Sequence, residues 1–438
     1  MKILVTGLCT LHWGRLQFGN IGNYYIIEPL FRELHRVFED AEIITTFQMT
    51  DDFIKREKIT VVPMEYYYAW KEDDVALAQK EFELVSNYDK YNHVEDTPFI
   101  SLVKQCKLVI NVSGDMWGDN AEHVGKSRFL VDLLKMRTVQ LLGVKTVLFA
   151  GTPGPFTDDT TREFAKEVYQ NFDLVINREP TSTKNMKEWG FHAKCAKDFA
   201  CPAFLYTPLL SETEQLKLNK LMNSLRTGKK IVGFTIGGFN MPVGPYDMWP
   251  REEWQYDVFV QVIEHIINDL DAKVVLISHT NGFELPPHFK LINGRDYPIL
   301  KQLQEVTLKR GNLNCPEDLI CLEGPYLPNM TKKIIGQFDM MVTGRVHASV
   351  AAISQYIPTV FLTYEQSFIP STKMYGFSSL AGVGEFVCEP GDREQIIQKV
   401  DDCYKNRSQI RNRLQNNIPE VQSKAKAAFD EMKGLVEE

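Results

Sequence analysis

Residues 338–364 read FDMMVTGRVHASVAAISQYIPTVFLTY. FDMMVTG is a short apolar run closed by a glycine, as a buried strand that stops in a tight turn would be. VHASVAAISQ follows as a short helix, and Pro358 opens the next strand, PTVFLTY. Strand, helix and strand in this order make a βαβ unit, whose strands run parallel. Arg345 and His347 then fall at the start of the helix. Unpaired backbone N–H groups and the helix dipole favour an anion there. A guanidinium can grip a carboxylate or phosphate through two N–H groups. An imidazole beside it can donate a proton near neutral pH. A quieter reading also fits: the histidine caps the turn and the arginine pairs with a nearby carboxylate.

The same alternation extends in both directions. KILVTGL, EIITTF, LVINVSGD, KTVLFAGTPGP and DLVINRE read as buried parallel strands in the first half. Helical patterns lie between them at 23–38, 127–143, 161–172 and 182–191. The first places Ile26, Leu30, Leu34 and Phe38 on one face. Residues 198–215, with prolines at 202 and 208, read as a linker. KKIVGFTIGGF (229–239), AKVVLISHT (272–280), LICLEG (319–324) and the two strands of the opening stretch form a second set. The C-terminal run from 392 reads as helical except near Pro419.

Two β/α halves in tandem predict an α/β protein of two Rossmann-like domains facing a cleft, the two-lobed GT-B-like glycosyltransferase architecture. The expected domains are 1–205, 206–400 and a helical segment, 401–438, that packs back on the first lobe. A chain of 438 residues is long enough for two cores. The alternative is two independent α/β domains without a shared cleft.

Composition narrows the function. The net charge of −8 comes from 49 basic and 57 acidic residues spread without a charged tail, which disfavours broad binding to nucleic acid or anionic membrane. MKILVTGL lacks the length and cleavage site of a signal peptide, and no apolar run reaches the roughly 20 residues of a membrane span. A cytoplasmic location is expected. The eight cysteines include no CxxC pair and are expected to be reduced, with no zinc site.

Several other residues could carry chemistry. His279 ends a strand and could hold a phosphate or an acceptor sugar, or bond a loop carbonyl. Asp115 and Asp119, in VSGDMWGDN, could accept a hydroxyl proton or stand as solvated loop aspartates. Asn20 and Asn23, in GNIGN, could touch acceptor hydroxyls or shape the turn, Asn23 being a sensible N-cap. PMEYYYAWK (63–71) and PYDMWPREEWQY (245–256) could stack on sugar rings or anchor loops.

The Arg345–Val346–His347 segment and the strand after it resemble the C-terminal motif of the polysaccharide pyruvyl transferase family. LVINREPTSTKNMKEWGF resembles that family's arginine-bearing strand and helix, with Arg178 at the motif arginine; DFACPAFLY resembles its Asp-Pro-x-Phe segment, with Asp198 in the aspartate position. NVSGDMWGD takes the place of its glycine-rich turn and FGNIGNYYI that of its N-terminal loop. The chain departs from the pattern at Asn23, where the family often has aspartate, and at Ser367, where it often has lysine. The resemblance implies the two-lobed fold again. It also implies transfer of the carboxyvinyl group of phosphoenolpyruvate (PEP) to two sugar hydroxyls, forming a pyruvate ketal. On that implication His347 and Asp115 are catalytic. Arg178, Arg345, Val346 and His279 bind PEP, and Asn20, Asn23 and Asp119 bind the acceptor. No cofactor is expected, and the acceptor is a sugar or glycan, free or lipid-linked. Two alternatives stand: a glycosyltransferase using a nucleotide sugar, with Glu365 holding the ribose, and a non-catalytic carbohydrate-binding relative.

Overall fold

A computed structural model describes residues 1–9, 12–87, 96–124, 127–226, 228–364 and 372–437. Glu365 and Ser367, named above, lie outside them. Contacts divide the chain into two units. The first comprises Met1–Leu16, Ile27–Pro202 and Ser423–Glu438; the second comprises Gln17–Ile26 and Ala203–Gln422.

The first unit holds a seven-stranded sheet. Its strands are β1 (Lys2–Thr6), β2 (Glu42–Thr45), β3 (Thr60–Val61), β4 (Leu108–Asn111), β5 (Lys145–Gly151), β6 (Leu174–Asn177) and β7 (Ala196–Asp198). They lie in the order β3-β2-β1-β4-β5-β6-β7, all parallel. Every residue of β4 and β6 is buried, which is why these strands read as unbroken apolar runs rather than alternating ones.

The second unit repeats the plan. Its strands are β8 (Ile231–Thr235) and β9 (Lys273–Leu276), a hairpin of β10 (Asn281–Glu284) and β11 (Lys290–Asn293), then β12 (Leu319–Cys321), β13 (Met340–Thr343), β14 (Thr359–Leu362) and β15 (Val387–Cys388). Six of them form a parallel sheet in the order β12-β9-β8-β13-β14-β15, and the hairpin pairs antiparallel apart from it. Both sheets reverse strand order once, between β1 and β4 in the first and between β8 and β13 in the second. Such reversals open a crevice at the C-terminal strand ends, where doubly wound folds bind ligands.

The expected α/β class of two Rossmann-like sheets is therefore present. The sequence reading missed β3, β7 and β15, which have only two or three residues, and the hairpin, whose four-residue strands are only half apolar. The 198–215 stretch is not a bare linker: it holds the short helix Pro202–Leu205 and the start of the helix Glu212–Leu225, whose Ser211 and Glu214 form a capping box.

Two helices correct the reading further. The first starts at Ile21, not at 23, and Asn20 caps it: its Oδ1 accepts the Gly22 N–H at 3.1 Å, while Asn23 donates its own N–H to the Asn20 carbonyl. The last helix, Arg407–Glu437, continues unbroken past Pro419. Ile410, Leu414, Ile418, Val421, Ala425 and Phe429 are buried along it at helical spacing, so burial on both sides of the proline outweighs the hydrogen bond it removes. In the first unit Phe429 packs on Phe149 at 5.1 Å, and Glu431 pairs with Lys197.

Among the described residues no helix is long and apolar enough to cross a membrane, and all eight cysteines are free.

Candidate active site

At the crevice of the second sheet the chain leaves β8 through Gly237 and Gly238 and leaves β13 through Gly344. Asn240 ties these exits together. Its Oδ1 accepts the Gly237 N–H at 2.9 Å, and its Nδ2 donates to the carbonyls of Gly344 and Thr363 at 3.3 and 2.9 Å. A Cβ on Gly344 would lie 2.2 Å from the Asn240 amide. Close approach, rather than a special turn conformation, is the reason for glycine at 344.

Arg345 follows in extended conformation and precedes the helix Val346–Ile353. Its side chain is buried. Nε donates to Asp296 Oδ2 at 3.0 Å and Nη2 to Oδ1, a two-point ion pair. Burial alone would lower the guanidinium's pKa; the facing Asp296 outweighs it and raises it. Asp296 is wholly buried and begins the helix Asp296–Arg310, whose N-terminus favours its charge. Gly237 makes room for the pair: a Cβ there would lie 2.9 Å from both Arg345 Nε and Asp296 Oδ1. The expectation that Arg345 is an anion grip is thus corrected in part. One edge is already spent on Asp296, the carboxylate partner that the quieter reading allowed. Nη1 makes no hydrogen bond or ion pair among the described residues.

His279 lies beside the pair. Its backbone N–H donates to Asp296 Oδ2 at 3.3 Å, and its ring meets Tyr25 edge-on at 5.5 Å. Burial pushes its pKa down to about 3; Asp296 opposes the shift and Arg345 adds to it. The imidazole is neutral at physiological pH, and its buried Nε2 has no hydrogen-bond partner among the described residues. Among the described residues that nitrogen bonds no loop carbonyl.

His347, half-buried, is the second residue of its helix, after the buried Val346. The ring lies against Gly22, where a Cβ would come within 2.5 Å of the histidine Cβ and Nδ1. Asn20 forms a β-bridge with Thr280. Asn20 and Asn23, assigned from sequence to the acceptor side in 1–205, therefore belong to the second unit, and Asn20 is engaged as a helix cap.

The first unit gathers Arg178 and Asp115. Arg178 follows β6; its N–H donates to the Gly151 carbonyl at 3.3 Å, and its Nε to Thr152 Oγ1 at 2.8 Å. Thr152 in turn donates its N–H to the Gly114 carbonyl at 3.0 Å, which brings the Arg178 loop against the turn bearing Asp115. The Cys9 thiol shares this surrounding: burial pushes its pKa up to about 12, Asp115 adds, and Arg178 and Arg128 oppose. Arg178 is buried. Asp119 braces a loop instead: its Oδ2 accepts from the N–H and the hydroxyl of Thr157 at 2.5 and 2.6 Å.

Tyr246 of the second aromatic loop is an anchor. It stacks on Phe239 at 4.6 Å and carries the Arg295 guanidinium at 4.6 Å from its ring. Tyr364 leans on Phe239 at 5.3 Å, with Lys373 4.8 Å from its own ring.

Asp296, Tyr25, Gly22, Gly237 and Asn240 were missed. Only the Gly237–Gly238 pair after a strand left a local trace, that of close backbone approach; the others meet the site from distant parts of the chain.

A family model for polysaccharide pyruvyl transferase matches residues 20–366. The chain belongs to this family. The match spans the capped helix start, Arg178, His279 and the Arg345–His347 turn. No curated protein matches the chain. Among solved structures, a glycosyltransferase from Rickettsia africae ESF-5 superposes with a TM-score of 0.59 at 10% identity, over 100% of this chain and 98% of that one. HepE of Anabaena, solved with UDP-glucose, gives 0.57 at 11% identity, over 99% and 98%. UDP-GlcNAc 2-epimerase of Methanocaldococcus jannaschii gives 0.54 at 12%, over 92% and 93%. These likenesses establish the GT-B-like fold.

Proposed function

We propose that this protein is a pyruvyl transferase that moves the carboxyvinyl group of PEP to two hydroxyls of a glycan or glycolipid precursor. The observation that carries the reading is the turn Arg345–Val346–His347, which sets a guanidinium edge and an imidazole at a helix N-terminus in the family's own motif. The Arg345 Nη1 edge and the first-turn N–H groups, Val346's included, receive an acidic group of PEP. The neutral Nε2 of His279 can accept from or donate to a phosphate oxygen. Arg178 is assigned to PEP in the same reading, and Asp115 to taking a hydroxyl proton.

The chemistry balances without a redox partner. His347 gives a proton to the PEP methylene carbon, which becomes a methyl group, and C2 becomes an oxocarbenium centre. One sugar oxygen bonds to C2 and loses its proton. The C2–O bond to phosphate then breaks, and the second sugar oxygen bonds to C2. Of the two hydroxyl protons released, one restores His347 and the other leaves with phosphate. Placed charges act most strongly where water is excluded.

Thermal unfolding with PEP, UDP and GDP in parallel tests the reading. PEP at about 100 times its dissociation constant is expected to add about 2.7 kcal/mol. The gain should vanish in Arg345→Ala and persist in His347→Ala, which should lose turnover when phosphate release is followed with a disaccharide panel. Stabilisation by UDP or GDP and not by PEP would overturn the donor and favour a nucleotide-sugar transferase.

A further inference from the structure

The site of the second unit is not built from the second half of the sequence alone. Ten residues, Gln17–Ile26, cluster with Ala203–Gln422. They contain the first turn and a half of the helix Ile21–Val37. Two residues on one face of that turn, three positions apart, each touch a histidine of the site: Gly22 lies against His347, and Tyr25 meets His279 edge-on. The turn is itself held at several points. Asn20 caps it and bridges Thr280, and the Tyr25 hydroxyl donates to the Pro328 carbonyl at 3.1 Å. Tyr25 also stacks on Tyr206 at 4.9 Å.

We propose that Gly22 is a positioning residue for His347. The space that a side chain would fill at 22 is taken by the imidazole: a Cβ would lie 2.5 Å from Nδ1 and 2.6 Å from Cγ. That contact is to the backbone of a capped helix turn, which yields far less than a side chain does. It confines the ring on its Nδ1 side. Glycine at 22 therefore fixes the location of the ring. The inference rests on the proposed role of His347 as proton donor.

The test is Gly22→Ala, read in three ways. Turnover with PEP and an acceptor should fall on the order of 10–100-fold, the usual effect of an ångström-scale displacement of a reacting group. The PEP dissociation constant should change by less than about twofold, because the ring is displaced while the Arg345 edge is kept. In protein labelled at histidine nitrogens, the His347 ring signals should shift while those of His265 stay in place. Asn20→Ala provides a variant without added bulk, should Gly22→Ala fail to fold; it loosens the turn and should move the same His347 signals. Turnover within about twofold of wild type in folded Gly22→Ala, or unmoved His347 signals in both variants, overturns the inference. His347→Ala separates the two ideas. If it keeps full turnover, the proton-donor reading fails; if it is inactive while Gly22→Ala is unimpaired, only the positioning role fails.

Discussion

Arg345 and Asp296 share one buried ion pair, so removing either leaves the other charge without its partner. Asp296→Asn is expected to cost about 3–5 kcal/mol in urea denaturation, and, on the proposed function, also to weaken PEP binding by releasing the guanidinium from its fixed orientation. His279 gives a pH effect with a definite sign. The folded protein keeps it neutral down to about 3, whereas in the unfolded chain it takes a proton near 6.5. The unfolded state thus binds more protons between these values, and stability falls as the pH is lowered through them, by at most about 1.4 kcal/mol per pH unit. His279→Gln should show a shallower loss between pH 6.5 and 4. Asp132 works the other way. Burial pushes it up to about 6, against hydrogen bonds from Tyr67 and Asn111, so its contribution is present below about 3.8 and lost as the pH rises through 6. Comparing wild type with His279→Gln at each pH cancels that opposing slope. At this scale the sequence was half legible. Arg345 and His347 could be picked out because a helix start after a buried strand is a local pattern. Asp296 and Gly22 could not, because their meaning lies in a contact across about fifty or three hundred residues of chain.

Elements were more legible than residues. Buried parallel strands announce themselves as apolar runs, and β1, β4, β5, β6, β8, β9 and β13 all stood where such runs stand. What failed was short or depended on packing: the two-residue strands, the hairpin, and the helix that continues through Pro419. The exit from β8 shows how tightly an element end can be constrained. A Cβ on Gly238 would fall 1.6 Å from the carbonyl oxygen of Tyr246, which is backbone and cannot swing aside. Gly238→Ala should therefore be costly, on the order of 1–3 kcal/mol or more, and should expose the Phe239–Tyr246 stack. Pro419→Ala should raise the melting temperature, since a helix-interior proline costs about 3 kcal/mol relative to alanine when nothing else requires it. Calorimetry on the intact protein checks both.

At the scale of the molecule, each unit is an almost complete doubly wound sheet, yet neither is a continuous piece of sequence. The chain changes unit after Leu16, Ile26, Pro202 and Gln422. Residues 203–422 expressed alone lack Asn20, Gly22 and Tyr25, so the edges of His279 and His347 are left open. This fragment should melt less cooperatively than the whole chain and bind a hydrophobic dye. Addition of a synthetic peptide covering 17–38 should reverse part of that loss. The two-sheet plan was readable because it repeats. The exchange of the 17–26 segment was not, because nothing in GNIGNYY marks which core it will join.

That exchange limits how such a protein can be remodelled. Halves taken from two relatives and joined at the obvious seam near residue 202 would pair a foreign helix cap with a native imidazole. A chimera that swaps the second unit must carry the 17–26 segment along with the half it serves, as a graft taken from the far end of the gene.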